Sequence, residues 1–286
     1  MTNSLREPRL RTSIGRVATE RPEWQEATAE AGAVSRVDVG GVGLDRLTEV
    51  QLVRLVAKGW KQARGGSIVT PNVDIWRQLR GDVASAELVA RAHLVVADGM
   101  PLVWASRIAG TALPERIAGS SLVERLCSLA ACESRSAFVI GGGVEGAAEA
   151  AAQALAERHR GLRIVGVLAP PFGFEHSATL SAEVLTQVRQ SAADLVLVGL
   201  GFPKQERLAE QLLQQMPQTW FLGCGGGIAM AAGFTRRCPP WAQRLGVEWM
   251  VRLWQEPRRL AHRYLIDDLP AAVLLLAISL VRRFSR

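Results

Sequence analysis

Leu94-Val-Val-Ala-Asp98-Gly99-Met-Pro101-Leu-Val103 is the stretch from which the fold can be read. A short apolar run drives toward a core and stops on an Asp-Gly pair, the pattern of a buried strand closed by a turn. Asp98 then stands at the strand's carboxyl end, where open α/β sheets place their ligands. Gly99 permits a tight turn and Pro101 suits the opening of a helix. An acid at this point is either a turn residue or a catalytic base, and the stretch alone leaves both open.

Outward from it the same order repeats. Toward the N-terminus, 37–43 alternates as a short strand, Thr48 can cap a helix over 49–60, and 67–72 reads as a strand ending on Thr70-Pro71-Asn72. Helices over 73–80 and 85–91 lead to the Asp98 strand. Toward the C-terminus, a helix over 103–108 precedes a turn, Pro114-Glu-Arg116-Ile-Ala-Gly119, in which Arg116 taken alone is a surface residue. The strand 137–140 runs into Gly141-Gly142-Gly143-Val-Glu-Gly146 and a helix over 147–159. Helices over 180–191 and 205–216 flank a buried strand over 194–201, and the last strand covers 219–222 before the turn holding Gly225. Strands alternating with helices, with glycine turns at the strand ends, predict an α/β fold: a doubly wound, Rossmann-like parallel sheet. Right-handed crossovers bring Thr70, Asn72, Asp98, the Gly141-Gly142 turn, Gly201 to Gln205 and Gly225 to one edge. That convergence favours Asp98 as a site residue. Lys204, Gln205 and Glu206 open a helix, a good place for polar or anionic ligand groups, although Glu206 reads equally as a plain first-turn acid favoured by the dipole.

The glycine turn matches a dinucleotide fingerprint, but the strand over 163–168 ends Val-Leu-Ala-Pro-Pro, without the acid that would hold the ribose of NAD. An NAD-type oxidoreductase is therefore the lesser enzyme reading.

Length and charge bound the rest. With 286 residues, the chain holds one large α/β domain, here 37–235, plus an appendage over 236–286. Residues 1–36 read as a disordered leader without a secretory signal. The cysteines at 127, 132, 224 and 238 lack metal-ligand spacing and read as reduced, mostly buried thiols of a cytosolic protein. Of the net charge of +7, the last 51 residues carry +6, from 10 Arg against 4 acids. They contain Arg252, Arg259, Arg263 and a 13-residue uncharged run over 269–281. As a helix that run reaches about 20 Å, short of a bilayer's hydrocarbon core of about 30 Å, so it should lie in a membrane interface, or else pack as a core or dimer helix. Arginines interleaved with an apolar run argue against nucleic acid. A non-catalytic membrane-surface binding protein is the rival of a different class.

Six motifs together make the chain resemble the WecG/TagA/CpsF family of bacterial glycosyltransferases: Thr70-Pro-Asn72, Ala97-Asp-Gly99, Arg116-Ile-Ala-Gly119, Gly199-Leu-Gly-Phe-Pro-Lys-Gln-Glu206, Glu248-Trp249 with Arg252, and Glu256-Pro257. The resemblance covers about 37–264. Two departures stand out: Arg237-Cys238-Pro239 where the family often reads Arg-Ala-Pro, and the loop 170–174 without the family's frequent tyrosine. The resemblance implies an inverting, metal-independent transfer of a hexose or N-acetylhexosamine from a UDP-sugar, with no cofactor. The acceptor would be a polyprenyl-diphosphate-linked sugar, with the enzyme peripheral at the cytoplasmic face of the inner membrane and free to form a homo-oligomer. It also implies roles: Asp98 as base, and Arg116, Arg252, Arg259 and Arg263 as the cations that replace a metal. Thr70, Asn72, Gly141, Gly142, Gly201, Lys204, Gln205 and Gly225 would hold the substrates.

Overall fold

The structure, a computed structural model, describes residues 34–141, 143–235, 238, 239, 242, 248–255 and 257–285. Most of the expected leader, and Gly142 among the expected substrate-holding residues, lie outside these residues. Strands β1 (Arg36–Val39) and β2 (Val42–Asp45) form an antiparallel hairpin. A single strand was expected over 37–43; instead Gly40 and Gly41, at φ of 63° and 94°, turn the chain back on itself. Arg36 is already part of this hairpin, so the folded unit begins before the expected boundary at 37.

Six parallel strands follow: β3 (Gly66–Val69), β4 (Leu94–Val95), β5 (Ser136–Gly141), β6 (Arg163–Leu168), β7 (Leu195–Gly199) and β8 (Trp220–Gly223). Their order is β4-β3-β8-β7-β5-β6. Between them run α1 (Glu49–Lys61), α2 (Val73–Gly81), α3 (Val83–Ala90), α4 (Met100–Ile108), α5 (Gly119–Cys132), α6 (Ala147–Arg158), α7 (Ala178–Ser191), α8 (Lys204–Leu213) and α9 (Gly227–Ala231). The pleat divides the core. Ile68, Leu94, Val139, Leu197 and Leu222 face α1, α5, α6 and α9. Val69 and Val95 face the hairpin and α2 to α4, and Ile140, Val198 and Phe221 face α7 and α8. Helix α5 was not anticipated. It begins directly at the Arg116 turn and has no side-chain cap.

Connections from β5 and β7 run in opposite directions across the sheet, so the switch-point crevice lies between these two strands. Strand β4 is an edge, and Asp45 closes it: its Oδ2 accepts from Val95 N at 2.7 Å, while both its oxygens accept from Arg36 at 3.0 and 3.1 Å. Arg36 also donates to the carbonyls of Ala90 and Ala92. One buried ion pair thus welds the hairpin to the strand that carries Asp98.

The C-terminal part contains α10 (Glu248–Gln255), α11 (Pro257–His262), a π-helical turn (Arg263–Asp268) and α12 (Leu269–Phe284). Leu260–Phe284 forms a helix of 25 residues, long and apolar enough to cross a membrane, at about 1.5 Å per residue. This corrects the expected 20 Å, which counted only the uncharged run; Asp267, Asp268, Arg282 and Arg283 are carried in the same helix. Packing sets its placement. Ala271, Leu275 and Ser279 are buried against α4 and the hairpin, Arg282 pairs with Asp38, and Leu265, Ile266, Leu269, Val273, Leu274, Leu280, Val281 and Phe284 stay exposed. Gly40 is obligatory here, since a Cβ on it would stand 2.5 Å from Leu275 Cδ1.

Replacing Asp45 with Ala should cost about 3–5 kcal/mol of unfolding free energy, because it strands a buried guanidinium and reopens an edge amide. Equilibrium urea unfolding checks this; a loss under 1 kcal/mol would mean the weld is dispensable.

Candidate functional site

Asp98 lies just past β4. The ladder continues beyond the strand, with Val96 N donating to Val69 O and Asp98 N to Pro71 O. The peptide following Arg116 is held in turn, Ile117 N donating to Ala97 O at 2.8 Å. Gly119 N, at the start of α5, donates to Asp98 Oδ2 at 3.1 Å. Gly119 also lets Thr70 approach: a Cβ there would meet the Thr70 hydroxyl oxygen at 3.0 Å. Thr70 Oγ1 donates to Gly223 O at 3.3 Å. Asn72 caps α2, its Oδ1 accepting from Ile75 N.

Arg116 is not a surface residue. Its side chain is 16% exposed; Nη1 lies 4.0 Å from Asp98 Oδ1 and makes a much closer pair with Glu248 Oε2. Glu248, 14% exposed, also accepts from Arg252 Nη2 at 2.6 Å through its other oxygen. Two carboxylates and two guanidinium groups therefore alternate in one half-buried corner. Burial pushes the Asp98 carboxyl up, and although Arg116, Gly119 N–H and Arg252 pull it down, the net direction is upward. Burial acts the same way on Glu248, but there Arg252 and Arg116 outweigh it and hold the group below the ordinary range. Glu248 was quoted only as part of a motif in the sequence. Its pairing with Arg252, four residues on, follows from helical spacing; its reach to Arg116 does not.

A second cluster sits beside the first. Gln205 Oε1 accepts from Gly225 N at 3.1 Å, and its Nε2 donates to Glu206 Oε1 at 2.8 Å. Glu206 is 4% exposed, and its other oxygen has no hydrogen-bond partner among the described residues. Burial raises its carboxyl to about 7. It stands in the first turn of its helix, but buried rather than at the surface. A Cβ at Gly223 would stand 2.8 Å from Gln205 Nε2, so that glycine makes room for the pair. Gly201 and Gly225, both at positive φ, have open space where a Cβ would be.

Other expected site residues are placed elsewhere. Gly141 has its Cα face filled, a Cβ there meeting Ala148 at 2.7 Å, so it serves the packing of α6. Lys204 is turned to Glu175 and lies 4.9 Å from the Phe172 ring. Arg263 pairs with Asp268 at 3.4 Å and stacks on Tyr264. The side chain of Arg259 lies outside the described residues. Of the cysteines, Cys127, Cys224 and Cys238 are buried and Cys132 is exposed.

The sequence model described as "Glycosyl transferase WecG/TagA/CpsF family" matches residues 37–285. A protein of Staphylococcus aureus (strain MW2), named N-acetylglucosaminyldiphosphoundecaprenol N-acetyl-beta-D-mannosaminyltransferase, is 28% identical over 237 residues, covering 81% of this chain and 89% of the relative. One of the same name from Staphylococcus aureus (strain NCTC 8325 / PS 47) is 28% identical over 229 residues, covering 78% and 86%.

Glu206 makes a pH prediction. Its proton is held more tightly folded than unfolded, so stability falls as pH rises from about 4.5 toward 7, by up to about 3 kcal/mol. Urea unfolding of Glu206→Gln should lose that component and be the more stable form at pH 8. A variant with the same pH slope as the parent would show that the carboxyl is solvated.

Proposed function

The chain belongs to the WecG/TagA/CpsF family of glycosyl transferases and is a glycosyltransferase; on that premise we propose that it moves a hexose or N-acetylhexosamine unit from a UDP-sugar to a polyprenyl-diphosphate-linked saccharide, with inversion and without a metal. The names of its Staphylococcus aureus relatives support an N-acetylmannosamine-type donor and a lipid-diphosphate acceptor. The observation that carries the reading is Asp98 at a strand end with its basicity raised by burial, beside guanidinium groups that can receive negative charge.

In the proposed step the acceptor hydroxyl oxygen attacks the anomeric carbon and the carbon–oxygen bond to UDP breaks on the opposite face. Asp98 takes the hydroxyl proton as the new bond forms, and UDP leaves with the electron pair. Charge growing on the diphosphate needs fixed cations, which Arg116 and Arg252 supply. Both carboxylates of the cluster face guanidinium groups, and among the described residues no three His, Cys, Asp or Glu side chains converge as they would around a metal ion. Thr70, Asn72, Gln205 and the open turns at Gly201 and Gly225 would line the donor side.

The outer face of α12 supports attachment to a membrane surface, which in this reading is the cytoplasmic face of the inner membrane. Val273, Leu280, Val281 and Phe284 lie opposite the docked face, with Arg282 and Arg283 at the end. Membrane contact along that face would hold α10, and with it Arg252, over Asp98.

Asp98→Asn should lower transfer by about 100-fold or more while UDP still raises the thermal unfolding temperature. Near-normal turnover would remove Asp98 from the role of base, and loss of activity with a chelator would reject the metal-free reading. Val273→Asp with Val281→Asp should release the protein from anionic vesicles in co-sedimentation; retention would place the anchor elsewhere.

A further inference from the structure

The Arg116 guanidinium has two carboxylates within reach and takes one. It is closely paired with Glu248 and only 4.0 Å from Asp98. Glu248 comes from α10, 132 residues away in sequence, and grips Arg252 on its own helix as well. Its side chain is only 14% exposed. An exposed ion pair would contribute little, but one this sheltered fixes its partners.

We propose that Glu248 is a positioning residue that draws the Arg116 guanidinium off Asp98 and fixes Arg252 beside it. This inference rests on Asp98 being the proton acceptor. A full Arg116–Asp98 pair would hold the carboxylate too strongly ionised to take a proton; an opposite charge in close contact lowers an Asp by about 1–3 pH units. Sharing the cation with Glu248 leaves Asp98 basic. At the same time the two arginines are held side by side on one carboxylate, a spacing suited to the neighbouring oxygens of a diphosphate.

Every group that faces Asp98 enters the balance. Arg116 comes from the turn before α5, Gly119 N–H from the start of α5, and Glu248 and Arg252 from α10. Tyr264, from the π-helical turn, acts on Arg252, and Cys238 Sγ donates to the Glu248 carbonyl. Thr70 and Asn72 on the β3 side are neutral. Burial is the main force raising Asp98, and among the charged groups of the described residues that act on it Glu248 is the one that adds to it, against the pull of the arginines.

The test is a double-mutant cycle on the full chain in detergent. The Asp98 carboxyl is followed by its carbon-13 resonance, identified by its absence in Asp98→Asn. Glu248→Gln, isosteric with the parent, should lower the Asp98 titration midpoint by about 1 pH unit or more. In the Arg116→Gln background the same change should move it by less than half as much, because the cation that Glu248 diverts is gone. Equal shifts in both backgrounds would mean simple charge removal and overturn the proposal, as would no shift. In transfer assays the acidic limb of kcat/KM should move down with the Asp98 midpoint and kcat should fall about ten-fold, with Glu248→Asp partly restoring both. A rise in activity with Glu248→Gln would mark the residue as a plug and overturn the proposal too. Should Asp98→Asn stay active, the base reading fails, yet the titration cycle still decides whether Glu248 controls Arg116.

Discussion

Arg116 cannot satisfy Asp98 and Glu248 equally, and the arrangement of the site follows from how that competition is settled. At an effective dielectric of about 20, two unit charges 4 Å apart interact by about 4 kcal/mol, so a guanidinium that leans toward one carboxylate materially changes the other. The backbone holds Asp98 in place through Gly119 N–H on one side and the Pro71 carbonyl on the other. Arg116 sits on a turn pinned to Ala97. With both parties fixed to the α/β unit, the variable partner is the C-terminal part, which brings Glu248 and Arg252. The geometry of the site therefore depends on where α10 rests, and α10 is continued by a helix whose other end is docked on the hairpin.

That docking links stability to chemistry. Asp45 joins the hairpin to β4, Gly40 admits Leu275, and Arg282 pairs with Asp38. The same hairpin thus braces the edge strand leading to Asp98 and receives the helix following the Glu248 segment. Exposed apolar residues along α12 would be costly in water unless another apolar phase covers them, since contiguous exposed apolar surface on a soluble chain is limited. Ala271, Leu275 and Ser279 are taken up by the protein, which leaves the rest of the helix surface as the part that an apolar phase can cover.

How much of this could be read from the sequence depended on range. Local signals worked: the apolar run ending at Asp98, the Thr48 cap, Pro101 opening α4 and the alternation of strands and helices all act within a few residues. The hairpin was misread because Gly40-Gly41 sits inside an alternating pattern that one strand would also produce. Helix α5 lacks a side-chain cap and follows a turn motif directly, so no local stop or start announced it. Burial was the poorest reading. Arg116 and Glu206 carry the composition of surface residues, and only the sheet order brings the elements that enclose them. Gly141 has a packing reason that its turn motif does not show: a Cβ there would meet Ala148.

The two acids that sequence reasoning undervalued, Glu206 and Glu248, do related work by different means. Each fixes a polar side chain next to it, Gln205 in one case and the two arginines in the other. Glu206 does so in a dry place without a cation, at the cost of a carboxyl pushed to about 7. Glu248 is paid in full by two guanidinium groups and stays ionised. The step proposed above, with a proton passing to Asp98 and a diphosphate meeting arginine, needs both kinds of support. A weakly charged scaffold keeps a hydrogen-bonding amide in register on the donor side. A strongly charged one meters cations where charge develops. If Asp98 is the base proposed above, the alternation of signs around it is a functional distribution of charge, because each pair removed would alter the basicity of that carboxylate.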